Sequence, residues 1–197
     1  MKKDHYLSII SSDLETASDY IESLLPAEIY TTDLQINWKI VLSAQLGGVS
    51  FGYHWIDNDH LAIYILDVTG HGVSAALLSV SVLNTLKYQS LVNINFRYPD
   101  EVLEGLNNVF QMTDHYSMFI SMWYCVYCRS KKEIRCGGAF EIKLPDGMWL
   151  KIEDLENFLS ENLKKHIDDL DVLYNHIVDL NGGNTLDDDF TIIKIHL

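Results

Sequence analysis

Residues 61–78 constrain the fold more than any other part of the sequence. An apolar run of strand length, residues 61–66, ends on Asp67, and a glycine-rich turn follows at residues 69–72. An apolar segment of helix-forming residues begins at Val73. The pattern predicts a buried strand, a turn and a buried helix, with a carboxylate at the strand's end. A helix N-cap would stand next to its helix, so we favour a cation-binding or chemical role for Asp67.

The segment Asp67-Val-Thr-Gly70-His71-Gly72-Val-Ser-Ala-Ala-Leu-Leu resembles the signature of the metal-dependent protein phosphatases (PPM family), in their bacterial stage-II-sporulation-E-type branch. Stretches that resemble other parts of such domains follow in the family's chain order: Asp13–Pro26, Leu46–Gly48, Met118–Ser121 and Asp188–Ile193. The resemblance implies an α+β fold, a four-layer α-β-β-α sandwich of two antiparallel sheets flanked by helices. We place an N-terminal heptad-like linker helix at residues 1–26 and a PPM-type phosphatase-like domain at residues 27–197.

Composition limits the classes of protein further. The 197 residues carry 28 acidic and 14 basic side chains, a formal net charge of −14. Nucleic acid is therefore not an expected partner, because binding to it requires a cationic face. No apolar run is long enough to span a membrane, and the N-terminus lacks the apolar block of a signal peptide. We expect a cytoplasmic protein with no membrane contact.

The spacing of apolar residues predicts the other elements. A helix is expected from Asp100 to about Asp114, with Asp100 as its cap, and two acidic helices precede Asn181. Further strands are expected at Ile36–Leu46, Ser50–Ile56, Ser117–Cys128, Glu133–Ala139 and Phe190–His196, and a strand pair is considered at Phe140–Leu150.

The N-terminal helix, His5 to Leu25, has a heptad pattern of apolar residues. Its members are Leu7, Ile10, Leu14, Ala17, Ile21 and Leu24. Two interpretations stay open. The helix packs on its own domain, or it pairs with another chain or an upstream domain, which includes a homodimer.

The three cysteines are Cys125, Cys128 and Cys136. The first two have the C-x-x-C spacing of zinc and redox sites. However, both lie in a predicted strand, where positions three apart point to opposite faces. The sequence also offers no fourth ligand for a structural zinc site. We therefore expect buried structural thiols.

The resemblance to the PPM family implies a dinuclear Mn²⁺ or Mg²⁺ site built from four acids, a backbone carbonyl and water. Asp67 matches the acid that opens the glycine turn, and the Val68 carbonyl is its companion ligand. Asp188 matches the acid that begins the last strand, with Asp189 beside it as a weaker candidate; a charged entry to that strand is the alternative. The resemblance gives His71 a supporting role in the turn.

The first acid of that set is missing. The family pattern is Gly-Gly-Asp with a second Asp three residues later, whereas here Val49 follows the glycines and Gly52 takes the later position. A valine side chain cannot coordinate a cation, and Ser50 offers only a neutral hydroxyl. The third acid, expected in a Thr-Asp-Gly turn, has Asp146 as its candidate, for which an ordinary turn is the favoured interpretation.

These losses predict a degenerate phosphatase-like signalling domain that needs no metal cofactor and binds a protein partner. The partner classes considered are a sigma-factor regulator, an adaptor and a receiver domain. The alternative is an active Mn²⁺- or Mg²⁺-dependent protein serine/threonine phosphatase with a reduced site formed by Asp67, Asp188 and Asp146. A third reading, a purely structural dimeric linker, predicts that the heptad helix matters and Asp67 does not. Fold resemblance alone does not separate these functions.

Overall fold

The computed structural model describes residues 2–111, 118–138, 152–165, 167–183, 186 and 189–197. It divides into two compact units, which we call unit 1 (Met1–Ala27 with Ala44–Ala139) and unit 2 (Glu28–Ser43 with Phe140–Leu197). Among the described residues, no helix is both long enough and apolar enough to cross a membrane. In chain order the elements are α1 (Lys2–Leu24), β1 (Ile29–Tyr30), β2 (Gln35–Val41), β3 (Ser50–Trp55), β4 (His60–Val68), α2 (Val73–Lys87), α3 (Pro99–Val109), β5 (Ile120–Cys128), β6 (Glu133–Gly138), α4 (Ile152–Lys164), α5 (Leu170–Leu180) and β7 (Phe190–His196).

Unit 1 is built on an antiparallel sheet with the strand order β3-β4-β5-β6. Helix α2 packs on β3 and β4, and α3 packs on β5 and β6. Because strand side chains alternate between the two faces, every second residue of β4 joins the core under these helices. These almost fully buried β4 residues are Ala62, Tyr64, Leu66 and Val68.

The start of α3 shows how local chemistry sets a helix boundary. Pro99 occupies the first helical turn, where its missing N–H costs nothing, and Tyr98 is the N-cap residue without a side-chain cap hydrogen bond. The predicted cap at Asp100 is therefore wrong. Asp100 and Glu101 lie inside the first turn, where a carboxylate interacts favourably with the helix dipole.

Unit 2 contains an antiparallel sheet with the order β1-β2-β7. Leu173 and Ile177 of α5 are buried together with Phe190 of β7. Helix α5 begins after Asp169, whose side chain accepts a 2.8 Å hydrogen bond from the Asp171 backbone N–H. This is the capping interaction that an aspartate makes with an otherwise unpaired N–H.

The α+β class with two antiparallel sheets is confirmed, and the predicted strands and helices recur with shifted ends. The strand predicted at Ile36–Leu46 is wrong at its C-terminal end, because β2 stops at Val41 and the chain then turns. The strand pair considered at Phe140–Leu150 lies outside the described residues. The division into residues 1–26 and 27–197 stays a prediction.

Two of the three cysteines differ from the prediction. Cys125 and Cys136 are direct partners in the β5–β6 register, with Cα atoms 4.2 Å apart, and form a disulfide. The expectation of thiols is therefore wrong for this pair, because the strand register was not visible in the C-x-x-C spacing. Cys128 is a buried free thiol, as expected.

Candidate functional site

The end of β4 lies beside the Gly-Gly loop. In the β3–β4 ladder Ser50 pairs with Leu66, and the Val68 N–H continues the pattern by donating a 3.3 Å hydrogen bond to the Gly48 carbonyl. The register therefore carries on past the end of β3 and places Val49 opposite Asp67. Directly opposite residues on antiparallel strands have Cβ atoms about 4.5–5.5 Å apart and side chains on the same face.

Gly48 is held against the peptide of Val68. A Cβ atom added to Gly48 would overlap the Val68 carbonyl oxygen and would lie 3.1 Å from its nitrogen. Gly48 therefore allows the loop to approach β4 more closely than any other residue would. This close approach fixes the position of Val49 next to the predicted ligand Asp67.

The turn after β4 depends on glycine conformations. Gly70 and Gly72 have φ values of 95° and 84°, in the left-handed region that side chains disfavour. The Gly72 N–H donates a 2.8 Å hydrogen bond to the Leu46 carbonyl, which ties the turn to the preceding loop. His71 is exposed. Helix α2 begins at Val73 with Gly72 as its N-cap residue, so Asp67 is not the cap of this helix.

Thr69 anchors the other side of the turn. Its N–H donates a 3.0 Å hydrogen bond to the Phe119 carbonyl, and its hydroxyl oxygen accepts a 2.9 Å hydrogen bond from the Phe119 N–H. Sequence reasoning did not single out Thr69. Its place directly before the Gly-His-Gly turn was the available signal.

Ser50 is excluded as a substitute ligand. It is fully buried, and its hydroxyl accepts a 2.8 Å hydrogen bond from the Ser79 hydroxyl of α2. Adjacent strand residues point to opposite faces, so Ser50 faces the helix while Val49 faces the other side. The weak role considered for Ser50 is therefore wrong.

The second missing acid position is covered by an aromatic ring. Gly52 pairs with Tyr64, and a Cβ atom added to Gly52 would lie 2.6 Å from Cε2 of that ring. Tyr64 in turn stacks on Tyr124 with ring centroids 6.0 Å apart. A carboxylate at position 52 would require the Tyr64 ring to move.

The acids predicted near the last strand fall in unit 2. Asp189 Oδ1 accepts hydrogen bonds from the Ser43 N–H at 2.7 Å and from the Ser43 hydroxyl at 2.8 Å. Asp189 therefore fastens the chain after β2 to the start of β7, which is a structural use of that carboxylate. Asp188 and Asp146 lie outside the described residues.

The predicted Mn²⁺ or Mg²⁺ ligands are thus only partly represented in the described part of unit 1. Asp67 supplies a carboxylate and Val68 a carbonyl oxygen at the end of β4. Of the other two acid positions in this part of the family pattern, one holds Val49, which has no donor atom, and the other holds Gly52, which lies against the Tyr64 ring. Hard divalent cations prefer oxygen ligands, so the donor set described in unit 1 does not fit a complete dinuclear centre.

Comparison with known proteins identifies the class to which this architecture corresponds. The chain has the fold of the SiaA-PP2C domain of Pseudomonas aeruginosa, with a TM-score of 0.70, 14% identity, and coverage of 95% of this chain and 97% of that one. At that identity the likeness shows the fold alone. The protein therefore has the PP2C-type phosphatase fold.

Sequence comparison then shows which branch of these phosphatases the chain resembles. Residues 57–139 match the family model of stage II sporulation protein E (SpoIIE). The chain is 31% identical over 134 residues to the phosphoserine phosphatase RsbU of Bacillus subtilis, covering 66% of this chain and 38% of RsbU. It is 37% identical over 70 residues to the phosphoserine phosphatase RsbP of the same organism, covering 36% of this chain and 17% of RsbP. The resemblance to PPM-type phosphatases of the SpoIIE-like branch is confirmed, and the matches span well under half the length of either relative.

Proposed function

We propose that this chain is a degenerate PP2C-type signalling domain that binds a protein partner in place of hydrolysing a phosphoester. The observation that carries the proposal is Val49, which the strand register puts opposite Asp67. In a working site of this class a carboxylate would stand there and share the cations with Asp67.

The chemistry explains why this one substitution matters. Two divalent cations about 3.5–4 Å apart activate the attacking water and stabilise the displaced oxygen in two-metal hydrolysis. Each needs several oxygen ligands, and carboxylates supply the charge that offsets the loss of hydration. An isopropyl group in place of one carboxylate removes both a donor and a negative charge. At least one cation is then expected to bind weakly.

Helix α1 supports a binding role. Leu7 and Ile10, the first two members of the heptad pattern, are 56% and 55% exposed, whereas Leu14, Ile21 and Leu24 are partly buried. Apolar side chains left in solvent at heptad spacing favour pairing with another helix. The partners we propose are a second copy of the chain through α1, and a sigma-factor regulator, an adaptor or a receiver domain.

A second candidate is an active Mn²⁺- or Mg²⁺-dependent phosphoserine/phosphothreonine phosphatase with a reduced site. Two observations favour it: the retained Asp67–Val68 strand end, and the similarity to RsbU and RsbP, both named as phosphoserine phosphatases. In that case Asp67 and Asp188 would hold the cations, with Asp146 as a third contributor.

The experiment compares Val49→Asp with Val49→Asn. The two side chains have nearly the same size, so the pair isolates the charge of the restored carboxylate. We expect Val49→Asp to raise Mn²⁺ affinity at least about tenfold, which is ~1.4 kcal/mol, and Val49→Asn to leave it near that of the unsubstituted chain. Calorimetric titration with Mn²⁺ and a phosphoserine peptide assay are the measurements, with thermal unfolding to check that both variants fold.

The unsubstituted chain provides the opposing outcome. If it binds two Mn²⁺ ions tightly and hydrolyses the phosphopeptide, and Asp67→Asn abolishes that turnover, the active phosphatase is the correct assignment. Equal metal affinity in Val49→Asp and Val49→Asn would also contradict the degenerate site, because the missing charge would then not be what limits binding.

A further inference from the structure

The other end of the β3–β4 hairpin brings three different metal-ligating side chains together. His60, the first residue of β4, pairs directly with Cys128, the last residue of β5. Asp59 precedes His60 in the turn. One ligand atom from each of these three residues lies within 4.8 Å of the others. The Cys128 Sγ atom already donates a 3.4 Å hydrogen bond to Asp59 Oδ2.

The imidazole in this group is held by a second carboxylate. Asp57 Oδ1 lies 3.0 Å and Oδ2 3.1 Å from His60 Nδ1. An ionised carboxylate only accepts hydrogen bonds, so Nδ1 donates to Asp57 and Nε2 is the ring nitrogen left for a cation to bind. A carboxylate behind a histidine in this way is the usual support for a metal-bound imidazole.

Hydrogen bonds hold both carboxylates of the turn. Asp57 accepts hydrogen bonds from the Asp59 and His60 N–H groups at 2.8 and 3.0 Å and from the Arg97 side chain at 2.8 Å. Asp59 is also fixed in position, because Ser130 donates to its two oxygens at 2.6 and 2.8 Å.

A cavity of about 230 Å³ adjoins the three residues and leaves room for an additional ligand. Its charged lining is mixed: Asp59 and Glu133 are acidic, and Arg97, Lys131 and Arg135 are basic. Arg97 is paired with Asp57 at 2.8 Å, which offsets its charge.

We propose that Asp59, His60 and Cys128 form a mononuclear zinc site that is independent of the phosphatase signature. Zn²⁺ accepts thiolate, imidazole and carboxylate ligands together, and a set of three protein ligands leaves a fourth tetrahedral position for water or an anion from the adjoining cavity. The ion replaces the proton that Cys128 shares with Asp59. Binding therefore releases one thiol proton to solvent.

The first test uses metal-stripped protein titrated with Zn²⁺ against a chromophoric chelator, and with Co²⁺ as a spectroscopic probe. We expect one Zn²⁺ per chain, and a sulfur-to-cobalt charge-transfer band with Co²⁺. Cys128→Ser and His60→Gln should each weaken Zn²⁺ binding at least about 100-fold, and Asp57→Asn about 10–100-fold as the supporting carboxylate. Two controls, His71→Gln and Asp67→Asn, alter the opposite end of the hairpin and should leave this binding unchanged.

A second test does not depend on any variant folding. Cys125 and Cys136 form a disulfide, so Cys128 is the one free thiol among the chain's three cysteines. Stoichiometric Zn²⁺ should slow alkylation of that thiol, whereas Mg²⁺, which prefers oxygen ligands, should not. Alkylation at the same rate with and without Zn²⁺ would overturn the proposal.

Two further outcomes would also contradict it. One is Co²⁺ binding without a thiolate band. The other is Zn²⁺ affinity that is lost in Asp67→Asn and kept in Cys128→Ser, which would assign the ion to the phosphatase signature. The first outcome leaves the proposal about Val49 untouched. The second would also count against a degenerate Mn²⁺ site, and comparing Val49→Asp with Val49→Asn then tests that proposal separately.

Discussion

At one end of the β3–β4 hairpin Asp67 faces an aliphatic side chain, whereas at the other end His60 faces a thiol. The two ends are about 23 Å apart, because β4 rises about 3.3 Å per residue over the seven steps between them. The first end has the backbone geometry of a metal site but has Val49, without a donor atom, in the position of a ligand. The second has no recognised motif but has three donor atoms close together. Backbone geometry and side-chain chemistry can therefore be kept or lost independently along a single strand.

The core between the two ends should support both of them. Leu66→Ala removes a side chain that is 1% exposed beneath α2, and we expect unfolding free energy to fall by about 2–5 kcal/mol. Urea unfolding measures this change. Leu77→Ala, at a 64% exposed position of α2, is the matched control and should change stability by no more than about 0.5 kcal/mol. Equal losses in both variants would mean that the core does not lie where β4 and α2 meet.

Gly48→Ala should disturb only the end of the β3–β4 hairpin that carries Asp67 and the Gly-His-Gly turn. The added methyl group meets the Val68 carbonyl, so the loop must shift, and we expect a loss of about 1–3 kcal/mol. Hydrogen exchange of the Val68 and Gly72 N–H groups should accelerate, while that of the His60 N–H should not. Unchanged exchange at Val68 would contradict the close approach of the Gly-Gly loop.

His54, one residue before the end of β3, should make stability depend on pH. Burial, and then the charge of Lys87, lowers the pKa of His54 to about 4 in the folded state, and its ring Nε2 has no hydrogen-bond partner among the described residues. In the unfolded chain the pKa is about 6.5. Between these two pH values the unfolded state therefore binds more protons than the folded state. The contribution of His54 to the free energy of unfolding is fully present above about pH 6.5 and is lost as the pH falls towards 4.

The measurable quantity is the difference between the unsubstituted chain and His54→Phe. Allowing for the partial exposure of the ring, we expect His54 to contribute on the order of 1–2 kcal/mol of pH dependence in that window. Chemical unfolding at a series of pH values provides the test. Parallel pH profiles for the two proteins would show that His54 is not the group responsible.

The smallest change in stability is expected on the surface beside the turn that joins β3 to β4. Arg97→Gln removes an ion pair with Asp57 in which the arginine side chain is 49% exposed, so stability should fall by less than about 1 kcal/mol and the difference should shrink in high salt. Arg129→Gln is a comparison variant, because Arg129 lies over the Trp55 ring at 4.2 Å and has a different partner. A salt-independent loss of several kcal/mol at Arg97 would mean that the pair is structurally more important than its exposure indicates.

Much of unit 1 was predictable because local signals agreed with the tertiary structure. The apolar run before Asp67, the Gly-His-Gly turn and the helix from Val73 each depend on residues that are adjacent in sequence. The strand register was not predictable in this way. It decides that Val49 faces Asp67, that Ser50 faces Ser79, and that Cys125 pairs with Cys136.

The cluster of Asp59, His60 and Cys128 was missed for a related reason. Asp57 to His60 has the composition of an ordinary hairpin turn, and Cys128 was assessed only against Cys125 in its own strand. The relevant partner was across the ladder in β4, 68 positions earlier in the sequence than Cys128. A single sequence shows spacing along the chain, whereas ligand sets are assembled between strands.

The pairing of β2 with β7 has a consequence for biosynthesis. Gln35 lies in register opposite His196, so the strand that begins at residue 35 has a partner strand that is synthesised more than 150 residues later. As the chain leaves the ribosome, the four-stranded sheet of unit 1 can form once Gly138 has emerged. Until β7 has been synthesised, the pairing partner of β2 among the described residues is the two-residue strand β1. The unpaired edge of β2 is then the part of the nascent chain most accessible to a chaperone or to mispairing with a strand of another chain.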